Sequence, residues 1–138
     1  MAQGNTIPNV LLVEDDQDGR RMYAEWLTGA GYQVAEAHNG FQALDRAFAS
    51  VPDIVVTDLN IPGIDGFELT RRLKQDLRTC EVPVLAVTGY AAFASEPGRA
   101  LRAGCDAVLP KPCSPEDLEL AIRGLIAARA RQRVKPPA

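Results

Sequence analysis

The run Asp53-Ile54-Val55-Val56-Thr57-Asp58 constrains this chain more than any other segment. Ile54, Val55 and Val56 are β-branched and apolar without alternation, the pattern of a strand buried on both faces of a parallel sheet. Asp58 closes the run, and the carboxyl end of such a strand is where open α/β sheets place their chemistry. A second run, Val10-Leu11-Leu12-Val13, is followed by Glu14-Asp15-Asp16. If the two strands are neighbours, Glu14, Asp15 and Asp58 converge on one edge of the sheet. Like carboxylates at close range raise each other's pKa, so the cluster calls for a cationic partner. A hard divalent cation held by oxygen ligands, Mg2+, is the economical one.

With 138 residues, 46% of them apolar and 24% charged, the chain reads as one globular domain large enough to bury a core. A net charge of −3 and a pI near 5.1 argue against nucleic acid as a partner, because phosphate binding needs a basic face. No apolar stretch approaches the roughly 20 residues of a membrane span. Residues Met1 to Pro8 lack the basic start and apolar centre of a signal peptide. Cys80, Cys105 and Cys113 show no metal or redox spacing and read as reduced thiols of a cytoplasmic protein.

Strand-like and helix-like segments alternate along the chain. The patterns predict strands near 10–13, 32–37, 53–57, 82–87 and 106–109, and helices near 16–29, 39–50, 65–77, 95–103 and 115–130. In the last helix, Leu118, Ala121, Ile122, Leu125 and Ile126 recur at helical spacing, and Cys113-Ser114-Pro115-Glu116 supplies a Ser cap with Pro at the first helical position. Ser95-Glu96-Pro97 repeats that signal before the fourth helix. Such alternation gives right-handed βαβ crossovers and a doubly wound sheet. The domain is expected to span 9–130, with flexible termini at 1–8 and 131–138.

Five separated features then stand in order: Glu14-Asp15 after the first strand, Asp58 after the third, Asp65-Gly66 opening the third helix, Thr88 after Val84-Leu85-Ala86-Val87, and Lys111-Pro112 after the fifth strand. With these, residues 9–128 resemble the receiver domain of two-component response regulators. The resemblance implies a flavodoxin-like (βα)5 three-layer sandwich with a parallel sheet in the order 2-1-3-4-5. It implies that Asp58 is the phosphoacceptor, attacking phosphorus as a nucleophile. Asp15 would bind Mg2+ directly and Glu14 through water, with Asp58 and the backbone carbonyl of Asn60 completing the protein ligands. Lys111 would place its charge on a phosphoryl oxygen and Thr88 would donate a hydroxyl hydrogen bond. Receivers of this kind hold the Lys-Pro bond cis. Here Pro110 and Pro112 flank the lysine, and sequence alone assigns neither isomer.

The chain departs from the family pattern in three places. Val108 stands three residues before Lys111, where an aromatic that swings inward is usual. The loop after Thr88 carries Tyr90 and Phe93, and Tyr90 is positioned to shield a phosphoryl group from water. No output domain follows residue 130, only the basic tail Arg131-Gln132-Arg133-Val134-Lys135 and Pro136-Pro137-Ala138. Among the other polar residues, Asp16 reads as a helix-start residue and His38 as a turn residue. Asp18 and Asp45 read as solvated helix faces, and Trp26 as packed into core or rim.

The sequence therefore reads as a stand-alone receiver. A sensor histidine kinase or a histidine phosphotransfer protein would phosphorylate Asp58. A downstream protein would then read the face made by the fourth helix, the fifth strand and the fifth helix. Such a chain is a switch rather than a turnover enzyme. Two other classes remain open: an interaction module that is never phosphorylated, and a Mg2+-dependent phosphohydrolase. The second normally wants a carboxylate two residues after its nucleophile, where this chain has Asn60.

Overall fold

The computed structural model describes residues 7–89 and 98–133. Five strands and five helices alternate among them: β1 (Asn9–Val13), α1 (Gln17–Gly29), β2 (Gln33–Ala37), α2 (Gly40–Ala49), β3 (Ile54–Thr57), α3 (Gly66–Gln75), β4 (Val84–Thr88), α4 (Arg99–Ala103), β5 (Ala107–Pro110) and α5 (Pro115–Arg133). All strand pairs are parallel, in the order β2-β1-β3-β4-β5. This is the flavodoxin-like sandwich expected from the sequence.

The apolar runs divide by strand periodicity between two cores. Leu11, Val13, Val55, Val84 and Ala86 face α2, α3 and α4, packing with Ala43, Leu44, Leu69, Leu73 and Ala100. Val10, Leu12, Ile54, Val56, Leu85 and Val87 face α1 and α5, packing with Tyr23, Leu27, Leu118 and Ile122. Because both faces are covered, β1, β3 and β4 show apolar residues without alternation.

The register aligns the chemistry. Val13 pairs with Thr57 and Ala37, and Thr57 pairs with Ala86. Glu14 and Asp58 are therefore the first residues beyond adjacent strand ends, with Thr88 and Pro110 paired alongside.

Helix starts follow the capping signals. Asp16 accepts the Gly19 N–H at 2.8 Å, Asn39 the Gln42 N–H at 2.7 Å and Asp65 the Glu68 N–H at 2.8 Å. Ser114 Oγ accepts the Asp117 N–H at 3.1 Å. The reading of Asp16 as a helix-start residue thus matches its place.

Several expectations need adjustment. α5 continues to Arg133, so residues 131–133 are helical rather than frayed; the arginines there favour the carbonyl end of the helix. The Pro8 carbonyl accepts the Gln33 N–H at 2.9 Å, which ties Pro8 to the sheet edge. α3 stops at Gln75 rather than 77, because Asp76 turns extended and its carboxylate accepts the Arg78 N–H at 2.9 Å. Trp26 does not enter the core: α1 turns Met22 and Trp26 outward, and Trp26 is 43% exposed. The Ser95-Glu96-Pro97 start, Tyr90, Phe93 and the segments 1–6 and 134–138 lie outside the described residues.

Candidate functional site

Asp58 is 8% exposed and Glu14 5%, so two carboxylates lie buried where β3 and β1 end. Burial of this kind is costly unless each oxygen has a partner. Asp58 Oδ1 accepts the Asn60 N–H at 3.0 Å, and Oδ2 accepts Lys111 Nζ at 2.7 Å. Glu14 Oε1 accepts the same Nζ at 2.7 Å, and Oε2 accepts the Asp16 N–H at 3.1 Å. Lys111 thus crosses from the end of β5 to bind both acids. Burial works against its charged form, but the hydrogen bonds to Asp58 and Glu14 outweigh it and hold its pKa above the ordinary lysine value.

Asp15 is exposed, yet it offers an oxygen to the same place. Ligand oxygens of Glu14, Asp15 and Asp58 lie within 4.8 Å of one another. Three carboxylates against one ammonium leave a formal charge of minus two. An all-oxygen donor set with that excess charge fits a hard divalent cation such as Mg2+.

Thr88 completes the edge. Its hydroxyl is fully buried and has no hydrogen-bond partner among the described residues. A buried hydroxyl left unsatisfied costs free energy, and such groups mark places where a ligand or water completes the bonding. The Thr88 carbonyl accepts the Lys111 N–H at 2.7 Å, which joins the ends of β4 and β5 at these two residues. The Lys111-Pro112 peptide is cis.

The loop from Asp58 to Asp65 is held by its own glycine. Gly66 opens α3 directly under the acid: a Cβ there would lie 2.5 Å from the Asp58 carbonyl oxygen and 2.6 Å from the Leu59 Cα. Only glycine allows this approach.

The residues predicted for the site, Glu14, Asp15, Asp58, Asn60, Thr88 and Lys111, are thus brought to one edge, while His38 stays an exposed turn residue whose N–H donates to Gln42 at 2.8 Å. Two residues escaped the sequence reading. Arg20 donates to the Glu14 carbonyl at 2.7 Å and pairs with Glu36 at 3.0 Å, fixing the backbone that carries Glu14 and Asp15. Tyr23 donates from its hydroxyl to the Cys113 carbonyl at 2.7 Å. An arginine one turn inside the helix after the acidic run is a weak signal for the first. The second joins residues too far apart in sequence for any local pattern to show.

The model of the response regulator receiver domain matches residues 10–123. A polar-differentiation response regulator DivK of Brucella anthropi is 34% identical over 106 residues, 77% of this chain and 85% of that protein. The crystal structure of a response regulator of Chloroflexus aurantiacus is similar with a TM-score of 0.83 and 31% identity, covering 88% of this chain and 99% of that one. The receiver domain of a sensor histidine kinase from Pseudomonas aeruginosa, which has a magnesium ion coordinated in its active site cleft, is similar with a TM-score of 0.81 and 27% identity. That likeness covers 88% of this chain and 99% of the other. Sequence, sheet order and the converging acids agree, and the chain belongs to the response regulator receiver domain family, the phosphoacceptor modules of two-component signalling.

Proposed function

We propose that Asp58 accepts a phosphoryl group from the phosphohistidine of a sensor histidine kinase or a histidine phosphotransfer protein. The observation that carries this reading is Lys111 bridging Asp58 and Glu14 beside the unpartnered Thr88 hydroxyl. In the transfer, an Asp58 carboxylate oxygen forms a bond to phosphorus as the P–N bond breaks and its electron pair returns to the imidazole. The reaction needs placement and neutralisation more than proton transfer. Lys111 leaves Asp58 for a phosphoryl oxygen, keeping its charge in the site. Thr88 donates its free hydroxyl to another. Asp15, Asp58 and the Asn60 carbonyl would hold Mg2+ directly and Glu14 through water; when bound, the ion neutralises phosphoryl oxygens.

The receiver is assigned to residues 9–130 and to the cytoplasm. It acts as a switch rather than a turnover enzyme, with Asn60 in the position where a phosphohydrolase would want a second carboxylate. A downstream protein reads the α4–β5–α5 face. Among the described residues no helix is long and apolar enough to cross a membrane.

Intact-protein mass after incubation with acetyl phosphate tests the reading. One added phosphoryl group that requires both Mg2+ and Asp58, and is absent in Asp58→Asn, is the expected result. An unmodified wild type that also fails to bind beryllofluoride overturns it.

A further inference from the structure

Lys111 sits on a short connection between β5 and α5, and its ammonium must be placed within hydrogen-bond reach of groups on β1 and β3. Upstream, its own N–H is anchored on the Thr88 carbonyl at 2.7 Å. Downstream, the anchor comes from the neighbouring helix on the same face of the sheet: the Tyr23 hydroxyl donates to the Cys113 carbonyl at 2.7 Å, bridging α1 to the connection two residues past Lys111. Tyr23 is buried in the core between the sheet, α1 and α5, and its ring lines a small void with Glu14, Asp58, Val87 and Leu118. From this juxtaposition, and resting on the phosphoacceptor reading above, we infer that Tyr23 is a positioning residue that sets where the Lys111 ammonium lies relative to the group on Asp58.

The ring and the hydroxyl have separate tasks. The ring fills core beside Leu12, Val56 and Leu118. The hydroxyl adds little to that packing, and its hydrogen bond goes to the loop carbonyl of Cys113. Burial pushes the phenol above its ordinary pKa, so the hydroxyl keeps its proton and remains a donor at neutral pH. With Thr88 and Tyr23 both in place, the loop carrying Lys111 is fixed at two points, one on β4 and one on α1. Removing the α1 anchor leaves the lysine attached but free to wander, and preorganised charge is worth more than the same charge loosely held.

The test compares wild type, Tyr23→Phe, Lys111→Met and the double variant. Acetyl phosphate serves as donor at saturating Mg2+, and Asp58→Asn is the control. Tyr23→Phe is expected to slow phosphorylation about three- to ten-fold, the loss of one hydrogen bond's worth of placement. Its Mg2+ affinity should stay within about two-fold, and the fluorine-19 resonances of its beryllofluoride complex should shift. In the Lys111→Met background, Tyr23→Phe should cause no further loss, because its effect passes through the lysine. An unchanged rate and fluorine spectrum in Tyr23→Phe overturns the inference, as does an equal loss with and without Lys111. A wild type that takes up no phosphoryl group and binds no beryllofluoride overturns instead the phosphoacceptor reading, which keeps the two failures apart.

Discussion

The Lys111 ammonium lies 2.7 Å from Asp58 Oδ2 and 2.7 Å from Glu14 Oε1, so one cation joins the ends of β1, β3 and β5. It occupies the same carboxylates that fit a divalent cation. Two cations drawing on shared acceptors oppose each other. Lys111→Met should therefore bind Mg2+ several-fold more tightly in calorimetry while phosphorylation by acetyl phosphate falls by about 100-fold, the scale of losing one preorganised charge. Weaker Mg2+ binding in the variant would show that the lysine supports the ion rather than competing with it.

The same pair sets a pH dependence. Burial disfavours the ammonium, the hydrogen bonds to Asp58 and Glu14 favour it more strongly, and the folded pKa lies above the ordinary value. A folded pKa above the unfolded one means the contribution to stability is complete below the unfolded value and is lost as pH rises through the folded value. Unfolded lysine titrates near about 10.4, so Lys111 should impose no alkaline limb on the phosphorylation rate between neutrality and about pH 10. A fall below pH 9 that disappears in Lys111→Arg would contradict this.

Gly66 is the tightest steric point of the site. Its missing Cβ would stand 2.5 Å from the Asp58 carbonyl oxygen, a backbone atom that cannot yield without moving the acid. Gly66→Ala should lower stability by about 1–3 kcal/mol, the range of overpacked cores. Because α3 and the Asp58 loop must separate, it should also slow phosphorylation. Denaturant unfolding checks the first: a shifted midpoint with an unchanged slope is expected.

Much of this was legible in the sequence, and for identifiable reasons. Ile54-Val55-Val56 announced a strand covered on both faces, and Asp58 and Lys111-Pro112 marked strand ends, because these signals are local. Ser114-Pro115 and Asp65-Gly66 marked helix starts by capping chemistry that spans three residues. The Tyr23–Cys113 bond, the Arg20 grip on the Glu14 carbonyl and the crowding beneath Gly66 were not legible. Each depends on how separate elements dock, and no periodicity within one element encodes that. Trp26 lies outside the core because α1 turns Tyr23 and Leu27, not Met22 and Trp26, toward the sheet.

Tyr32 and Glu119 give a second titration far from the acid cluster. The Tyr32 hydroxyl donates to Glu119 Oε2 at 2.7 Å, linking the start of β2 to α5. Burial, then the bond to Glu119, raises the Tyr32 pKa from 10.0 to about 12. The neutral phenol is favoured in the fold, so its contribution is complete below pH 10.0 and is lost as pH rises through about 12. Tyr32→Phe should cost about 0.5–1.5 kcal/mol at neutral pH and should flatten the decline in stability across that alkaline window. Urea unfolding of both proteins at several pH values measures it, and parallel curves would remove Tyr32 from the account.

Val108 decides what form the output takes. It lies opposite Ala86 in the sheet and packs against the α2–α4 core, with no ring to exchange between inside and outside. The backbone offers another route: the Thr88 carbonyl holds the Lys111 N–H, so a partner taken up by the Thr88 hydroxyl pulls on the β5–α5 connection as well as on β4. Amide shifts of the beryllofluoride-bound protein should therefore differ from those of the free protein at Val87 to Gly89, at Leu109 to Ser114 and along α4. The ring-flip pattern predicts a different focus, on the position Val108 occupies and its neighbours. Changes confined to the residues around Asp58 would mean that the domain passes phosphate on without reshaping its α4–β5–α5 face.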